Sequence, residues 1–183
     1  MTGIKEELEE VGIQTIGSED YYQTIEKDIE KYVEFEIDPE VGAVVMGIDY
    51  NFNYKKLSVA RYYFLQNNAE MVATNKDLVY NFKDKIMPGG GSLIAAVEAC
   101  TKEFTLVGKP SHFPLEHILN EQVGKKDCIM IGDNIDTDIL FGVKNEIDTG
   151  LVMTGVTDLK LLEKKKEEGA KMPTYFMENL SLI

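Results

Sequence analysis

Three aspartates lie within six residues of one another, directly after an apolar segment: Asp133, Asp136 and Asp138. The apolar segment at residues 127–131 is typical of a strand, so Asp133 follows a strand end, where α/β sheets bind their ligands. Carboxylates this close repel one another unless a cation or a helix N-terminus balances them. Such oxygen ligands suit Mg²⁺, which keeps several waters that a phosphate can replace. We therefore predict a Mg²⁺ site at Asp133, whereas helix capping explains Asp136 better.

A lysine follows another predicted strand. Lys109 comes after the apolar residues 105–108 and precedes Pro110 and Ser111, the predicted N-cap of a helix. A cation fixed at a strand end can neutralise a phosphoryl group or hold a carboxylate in place. If the two strands are parallel neighbours, Lys109 and Asp133 lie at the same edge of the sheet.

Two further strand ends carry polar side chains. Asp49 and Asn51 follow the apolar residues 41–48, and Asn75 and Asp77 follow residues 70–74. These side chains can contact a substrate. Taken alone, they are better explained as turns, for which Asn and Asp are favoured because they bond to nearby backbone.

The elements that position these residues alternate between strands and helices. This alternation predicts an α/β fold in which crossover helices connect a parallel sheet. The continuous apolar run at residues 41–48 further predicts a strand buried on both faces. Strands are predicted at residues 13–16, 41–48, 70–74, 105–108, 127–131 and 150–153, and helices at residues 4–10, 19–34, 55–65, 92–102, 111–122, 136–144 and 157–167.

The charge balance excludes one large class of partner. The chain has 19 basic and 32 acidic residues and a net charge of −13, so it lacks the basic surface that nucleic-acid binding requires. The first ten residues are too acidic for a signal peptide, and no run approaches the ~18 apolar residues of a membrane helix. We expect a cytoplasmic protein without nucleic-acid or membrane partners.

Several segments, taken together and in order, resemble the haloacid dehalogenase superfamily. The similarity is to its branch of 4-nitrophenylphosphatases and phosphoglycolate phosphatases, which includes pyridoxal phosphate phosphatase. The segments are GIKEEL (3–8), VVMGIDYNFNYKKL (44–57), ATNKD (73–77), PGGGSL (88–93), GKPS (108–111), GDNIDTDIL (132–140) and LVMTGV (151–156).

The resemblance implies a Mg²⁺-dependent phosphatase that acts on a small phosphorylated substrate through an aspartyl-phosphate. It implies a three-layer parallel sheet, with a cap domain at residues 1–103 and the C-terminal half of the catalytic core at residues 104–183. Lys109 would steady the aspartyl-phosphate charge and Asp133 would coordinate Mg²⁺. Asp138 would support either the metal site or Lys109. The cap residues Asp49, Asn51, Asn75 and Asp77 would contact the substrate.

The nucleophile of this family is absent from the sequence. The family places two aspartates in a D-x-D-G motif and follows them with a strand ending in Thr-Asn-Asn. Neither motif occurs among these 183 residues as the family has it. We therefore expect a truncated phosphatase that is inactive alone. The alternatives are a non-catalytic binding module, which would dimerise through its cap, and a chain complemented by a separately encoded N-terminal half.

Overall fold

The computed structural model describes residues 3–17, 28–32 and 34–182. The chain forms two compact units. The first consists of Met1–Thr74 and Pro88–Thr105, and the second of Asn75–Met87 and Leu106–Ile183. Each unit contains helices and a small parallel sheet, so the predicted α/β class is confirmed.

Helices and strands alternate along most of the described chain. In chain order they are α1 (Gly3–Glu10), β1 (Ala43–Met46), α2 (Tyr54–Gln66), β2 (Glu70–Ala73), β3 (Val79–Phe82), β4 (Lys85–Pro88), α3 (Gly90–Thr101), β5 (Thr105–Leu106), α4 (Phe113–Glu116), β6 (Ile129–Gly132), α5 (Leu140–Asn145), β7 (Asp148–Val152), α6 (Leu159–Glu167) and β8 (Tyr175–Met177). A π-helical turn, Ile135–Ile139, leads directly into α5, and short 3-10 turns occupy Ile29–Tyr32, Lys125–Asp127 and Leu180–Leu182.

The first unit is built around the parallel pair of β1 and β2. Ala43 pairs with Glu70 and Met46 with Ala73, and β5 lies on the other side of β2. Helix α2 begins where the side chain of Asn53 accepts a hydrogen bond from the Lys56 amide, which satisfies one of the free donors at a helix start. The buried core comprises Val59, Ala60, Tyr63, Ala69, Met71 and Val97.

The second unit contains a parallel sheet in the order β6-β7-β8. Ile129 pairs with Asp148 and Gly132 with Leu151, and the π-helical turn and α5 form the crossover between these two strands. Leu151 is fully buried and packs with Ile135 and Ile139. The segment that follows β6 is therefore held in place by the hydrophobic core of this unit. Strands β3 and β4 form a separate two-stranded sheet.

Two predicted elements are wrong. Residues 13–16 form no strand because α1 ends there: Gly12 has a φ of 82° and the Ile13 amide donates to the Leu8 carbonyl, as in a helix C-cap. The helix predicted for residues 111–122 shrinks to the four residues of α4, with His112 rather than Ser111 at its N-cap. It stops early because the side chain of Asn120 accepts the Gln122 and Val123 amides in a turn.

Apart from the helix at residues 19–34, the remaining predicted elements are present, with bounds shifted by one or two residues. The strand predicted at residues 41–48 is β1, but it is half-buried rather than buried on both faces because it lies at an edge of its sheet. The sequence patterns missed β3, β4 and β8. Most of the helix predicted at residues 19–34 lies outside the described residues, where Ser18 also falls.

No helix in the described part of the chain is long and apolar enough to cross a membrane.

Candidate functional site

The candidate site lies in the second unit, at the carboxyl end of β6. Asp133 leaves this strand half-buried, and its Oδ2 accepts a hydrogen bond from the Val156 amide at 2.7 Å. The Asp133 carbonyl accepts the Thr157 amide at 2.9 Å. Among the described residues, no group donates a hydrogen bond to its Oδ1. One carboxylate oxygen is thus held by the backbone, and the other is left for a ligand.

A π-helical turn directs the next carboxylate back toward the strand. The amides of Asp138 and Ile139 both donate to the Asn134 carbonyl, at 2.8 and 3.2 Å, and the second of these bonds gives the turn its π character. Oδ2 of Asp138 accepts the Asn134 amide at 3.1 Å. The Asp138 side chain is only 5% exposed. The turn therefore buries the Asp138 carboxylate beside the backbone that carries Asp133.

The buried carboxylate pairs with the predicted cation. Nζ of Lys109 lies 2.7 Å from Oδ1 of Asp138, and the lysine side chain is 41% exposed. Both oxygens of Asp138 are thus occupied, and the Lys109 ammonium has one side fixed and another open to solvent. The strands that precede Lys109 and Asp133 are not neighbours, since β5 pairs with β2 and β6 pairs with β7. Because β5 is only two residues long, Val107 and Gly108, which precede Lys109, belong to no sheet.

Two glycines allow the carboxylates to approach the backbone. A Cβ added at Gly132 would overlap the carboxylate of Asp138, and one added at Gly155 would overlap the carboxylate of Asp133. Real side chains do not tolerate such contacts, so any larger residue at either position must displace an aspartate.

The third aspartate of the cluster faces outward. Asp136 is 58% exposed, and its Oδ1 lies 2.8 Å from Nζ of Lys165 on α6. The hydrogen bond to Asp136 raises the pKa of Lys165 above its ordinary value. The Asn134 side chain accepts the Asp136 amide, so Asn134 rather than Asp136 caps the turn.

Asp49 and Asn51 form a loop in the first unit. Oδ1 of Asp49 accepts the Asn51 amide at 2.9 Å, and Oδ2 lies 2.5 Å from Nζ of Lys56. Burial opposes ionisation of this carboxyl, but the hydrogen bonds from Lys56 and Asn51 outweigh it and hold the pKa of Asp49 below its ordinary 3.8. The carboxylate therefore shapes its own loop, while the exposed side chain of Asn51 faces solvent.

Asn75 and Asp77 contact each other in the second unit. Nδ2 of Asn75 donates to Oδ2 of Asp77 at 3.3 Å, and both residues are half-buried. The structure thus brings Lys109 and Asp138 together beside Asp133, and pairs Asn75 with Asp77. The assignment of Asp49, Asn51, Asn75 and Asp77 to substrate contacts remains a prediction.

Sequence reasoning missed two residues of the site, Thr157 and Lys165. Their contacts depend on how the chain returns after β7, and no local sequence pattern predicts that path.

The oxygen ligands of the site can be tested for their fit to Mg²⁺. Asp133 supplies one hard oxygen at a strand end, and Mg²⁺ commonly binds through one or two protein carboxylates. The described residues contain no group of three His, Cys, Asp or Glu side chains that could hold a metal. Asp133 therefore fits one position in a Mg²⁺ shell.

Comparisons with known proteins relate the chain to a family of hydrolases. The model of a family described as HAD-hydrolase-like matches residues 106–182. The chain is 36% identical to the Arabidopsis thaliana protein named phosphoglycolate phosphatase 1A, chloroplastic, with 98% of this chain and 50% of that protein aligned. It is 31% identical to the 4-nitrophenylphosphatase of Schizosaccharomyces pombe, over 99% of this chain and 61% of that protein.

The chain is also similar to a solved structure. The crystal structure of a single mutant of a thermostable NPPase from Geobacillus stearothermophilus is 32% identical and superposes with a TM-score of 0.71. The match covers 98% of this chain and 61% of that one. The chain thus spans half to about three-fifths of the length of these relatives.

Proposed function

Because the chain belongs to the haloacid dehalogenase-like hydrolases, whose named relatives here are phosphatases, we propose that it carries part of the active site of a Mg²⁺-dependent phosphomonoester hydrolase. The observation that carries the proposal is the 2.7 Å contact between Lys109 and the buried Asp138, directly beside Asp133. A half-exposed cation next to a carboxylate suited to Mg²⁺ is an arrangement that binds a phosphoryl group.

Each residue has a distinct task in this proposal. Lys109 binds a phosphoryl oxygen, and Asp138 holds the lysine ammonium in one orientation. Asp133 holds Mg²⁺ through its carboxylate, with Val156 fixing the other oxygen. Bound Mg²⁺ supplies positive charge that neutralises the phosphate.

The covalent step needs a residue that this sequence does not contain. In the proposed mechanism an aspartate attacks the phosphorus, the P–O ester bond breaks as the second aspartate of the same motif protonates the leaving oxygen, and water then hydrolyses the aspartyl-phosphate. That aspartate belongs to the family's D-x-D-G motif. We therefore propose that the 183-residue chain is inactive alone.

The cap assignment belongs to the same proposal. Residues 1–103 would act as the cap and residues 104–183 as the C-terminal half of the core. Asp49, Asn51, Asn75 and Asp77 would select a small phosphate monoester, with a cytoplasmic location. The relatives' names suggest 2-phosphoglycolate and 4-nitrophenyl phosphate as the first substrates to assay.

A fusion experiment tests the proposal. The N-terminal segment of the Schizosaccharomyces pombe 4-nitrophenylphosphatase that this chain does not align with would be fused ahead of it. We expect no turnover of 4-nitrophenyl phosphate by the chain alone, and Mg²⁺-dependent turnover by the fusion that Asp133→Asn or Lys109→Met abolishes. Asp84→Asn, an exposed aspartate between β3 and β4, and Lys144→Met, an exposed lysine of α5, are the matched controls.

Two results would contradict the proposal. Phosphatase activity of the unfused chain in Mg²⁺, lost in Asp133→Asn, would show that the chain is active alone. Turnover by the fusion that neither Asp133→Asn nor Lys109→Met reduces would remove these residues from the site.

A further inference from the structure

A buried threonine joins the loops that follow two neighbouring strands. Thr157 comes after β7 and is fully buried. Its Oγ1 accepts the Ile135 amide at 3.0 Å, and its own amide donates to the Asp133 carbonyl at 2.9 Å. Thr157 thus contacts the backbone on both sides of Asn134, within the segment that carries Asp133.

The Thr157 hydroxyl accepts a hydrogen bond from an amide that has no partner within the helical turn. Ile135 is the first residue of the π-helical turn, and the first amides of a helix have no partner within it. Its two neighbours are satisfied locally, since the Asn134 amide donates to Asp138 and the Asp136 amide to the Asn134 side chain. Of these three amides, only that of Ile135 depends on a residue outside the segment.

The same strand exit also holds the carboxylate of Asp133. The Val156 amide donates to Oδ2 of Asp133 at 2.7 Å, one residue before Thr157. A single tripeptide after β7, Gly155–Thr157, therefore provides space for the Asp133 side chain and three hydrogen bonds to its surroundings. Only one of these three, the hydroxyl contact, comes from a side chain that a substitution can remove.

We infer that Thr157 is a positioning residue for the metal-binding carboxylate of Asp133, a role that rests on the proposed function. Its hydroxyl fixes the start of the π-helical turn against the exit of β7, and this orients the carboxylate between the two loops. Removing a hydrogen bond to a metal ligand commonly changes metal affinity by about 10–100-fold, and the Thr157 hydroxyl acts one contact further out, through the Ile135 amide, so we expect the lower end of this range.

The test compares two buried threonines in the same unit. Thr157→Val removes the hydroxyl and keeps the shape, and Thr157→Ser keeps the hydroxyl. Thr149→Val is the matched control, because Thr149 is also buried and its Oγ1 accepts the Thr174 amide at 2.9 Å in another part of the sheet. Amide hydrogen exchange and Mg²⁺ titration of the full 183-residue chain, both followed by NMR, provide two independent readouts.

We expect a reciprocal result. In Thr157→Val the Ile135 amide exchanges faster and the Kd for Mg²⁺ rises about 10-fold, while Thr157→Ser remains close to wild type. In Thr149→Val the Thr174 amide exchanges faster, and both the Ile135 amide and the Kd remain unchanged.

The outcomes separate the inference from the proposed function. A wild-type Kd in Thr157→Val overturns the positioning role, whether or not the Ile135 amide is exposed. A wild-type chain whose amides near Asp133 do not respond to Mg²⁺ overturns the metal assignment of the proposed function. Even then the hydroxyl contact can be tested separately. If the Ile135 amide exchanges at the same rate in Thr157→Val and Thr149→Val, the hydrogen bond between this amide and the Thr157 hydroxyl is overturned as well.

Discussion

Nζ of Lys109 lies 2.7 Å from a carboxylate oxygen of Asp138, although the two residues are 29 positions apart in the chain. The aspartate is buried and the lysine is half-exposed. The pair therefore places a cation at the surface and keeps its counter-charge beneath it, beside the backbone of Asp133. This asymmetry has consequences for stability that can be measured without any catalytic assay.

Lys109→Met is expected to lower the free energy of unfolding by about 1–3 kcal/mol, because it leaves the buried carboxylate of Asp138 without its charged partner. Urea denaturation would measure the loss. Adding Asp138→Asn should recover part of it, so the two substitutions are not additive. Lys144→Met, at an exposed lysine, serves as the control, and an equal loss in both lysine variants would contradict the prediction.

Gly155→Ala is expected to displace the carboxylate of Asp133, because the added Cβ would occupy its position. Overpacking of this kind typically costs about 1–3 kcal/mol of unfolding free energy. We also expect a weaker response to Mg²⁺ in an NMR titration. Gly42→Ala is the control, since nothing lies within 4 Å of a Cβ there. A Gly155→Ala chain with wild-type stability and wild-type Mg²⁺ response would disprove the close contact.

Lys56→Met is expected to make the stability of the first unit less dependent on pH. The pKa of Asp49 is lowered in the folded chain, so its ionised form stabilises the fold at pH values above its ordinary, unfolded pKa of 3.8. This contribution is lost as the pH falls through the lower, folded pKa. The wild-type and variant curves should therefore differ by about 1 kcal/mol at pH 7, and they should converge only as the pH falls below the lowered, folded pKa of Asp49. Parallel curves down to about pH 2 would contradict this assignment.

Lys165→Met is expected to have a small, salt-sensitive effect. The Asp136 partner is more than half exposed, and exposed ion pairs contribute about 0.2–1 kcal/mol. The difference from wild type should shrink as salt increases toward about 1 M, because the charges are screened. Lys164→Met, at a more exposed lysine of the same helix, is the comparison. A larger loss that persists at high salt would indicate that Lys165 acts through packing instead.

Local patterns predicted most of the elements because each depends on neighbouring residues. The apolar segments became β2, β6 and β7, and the Asn53 cap began α2 close to the predicted helix start. The errors arose where turn chemistry ended an element, as at Gly12 and Asn120. Short strands such as β8 were missed because three residues carry too little periodicity.

The sequence by itself determined which residue types follow the strands. Lys109 and Asp133 each come just after an apolar segment that predicts a strand, and Asp138 follows Asp133 by five positions. Only the tertiary structure decided which of them meet. Lys109 pairs with Asp138, β5 pairs with β2, and Thr157 contacts the turn after β6. These contacts depend on strand register and on how each loop returns to the sheet, and such long-range geometry leaves no mark on the local pattern.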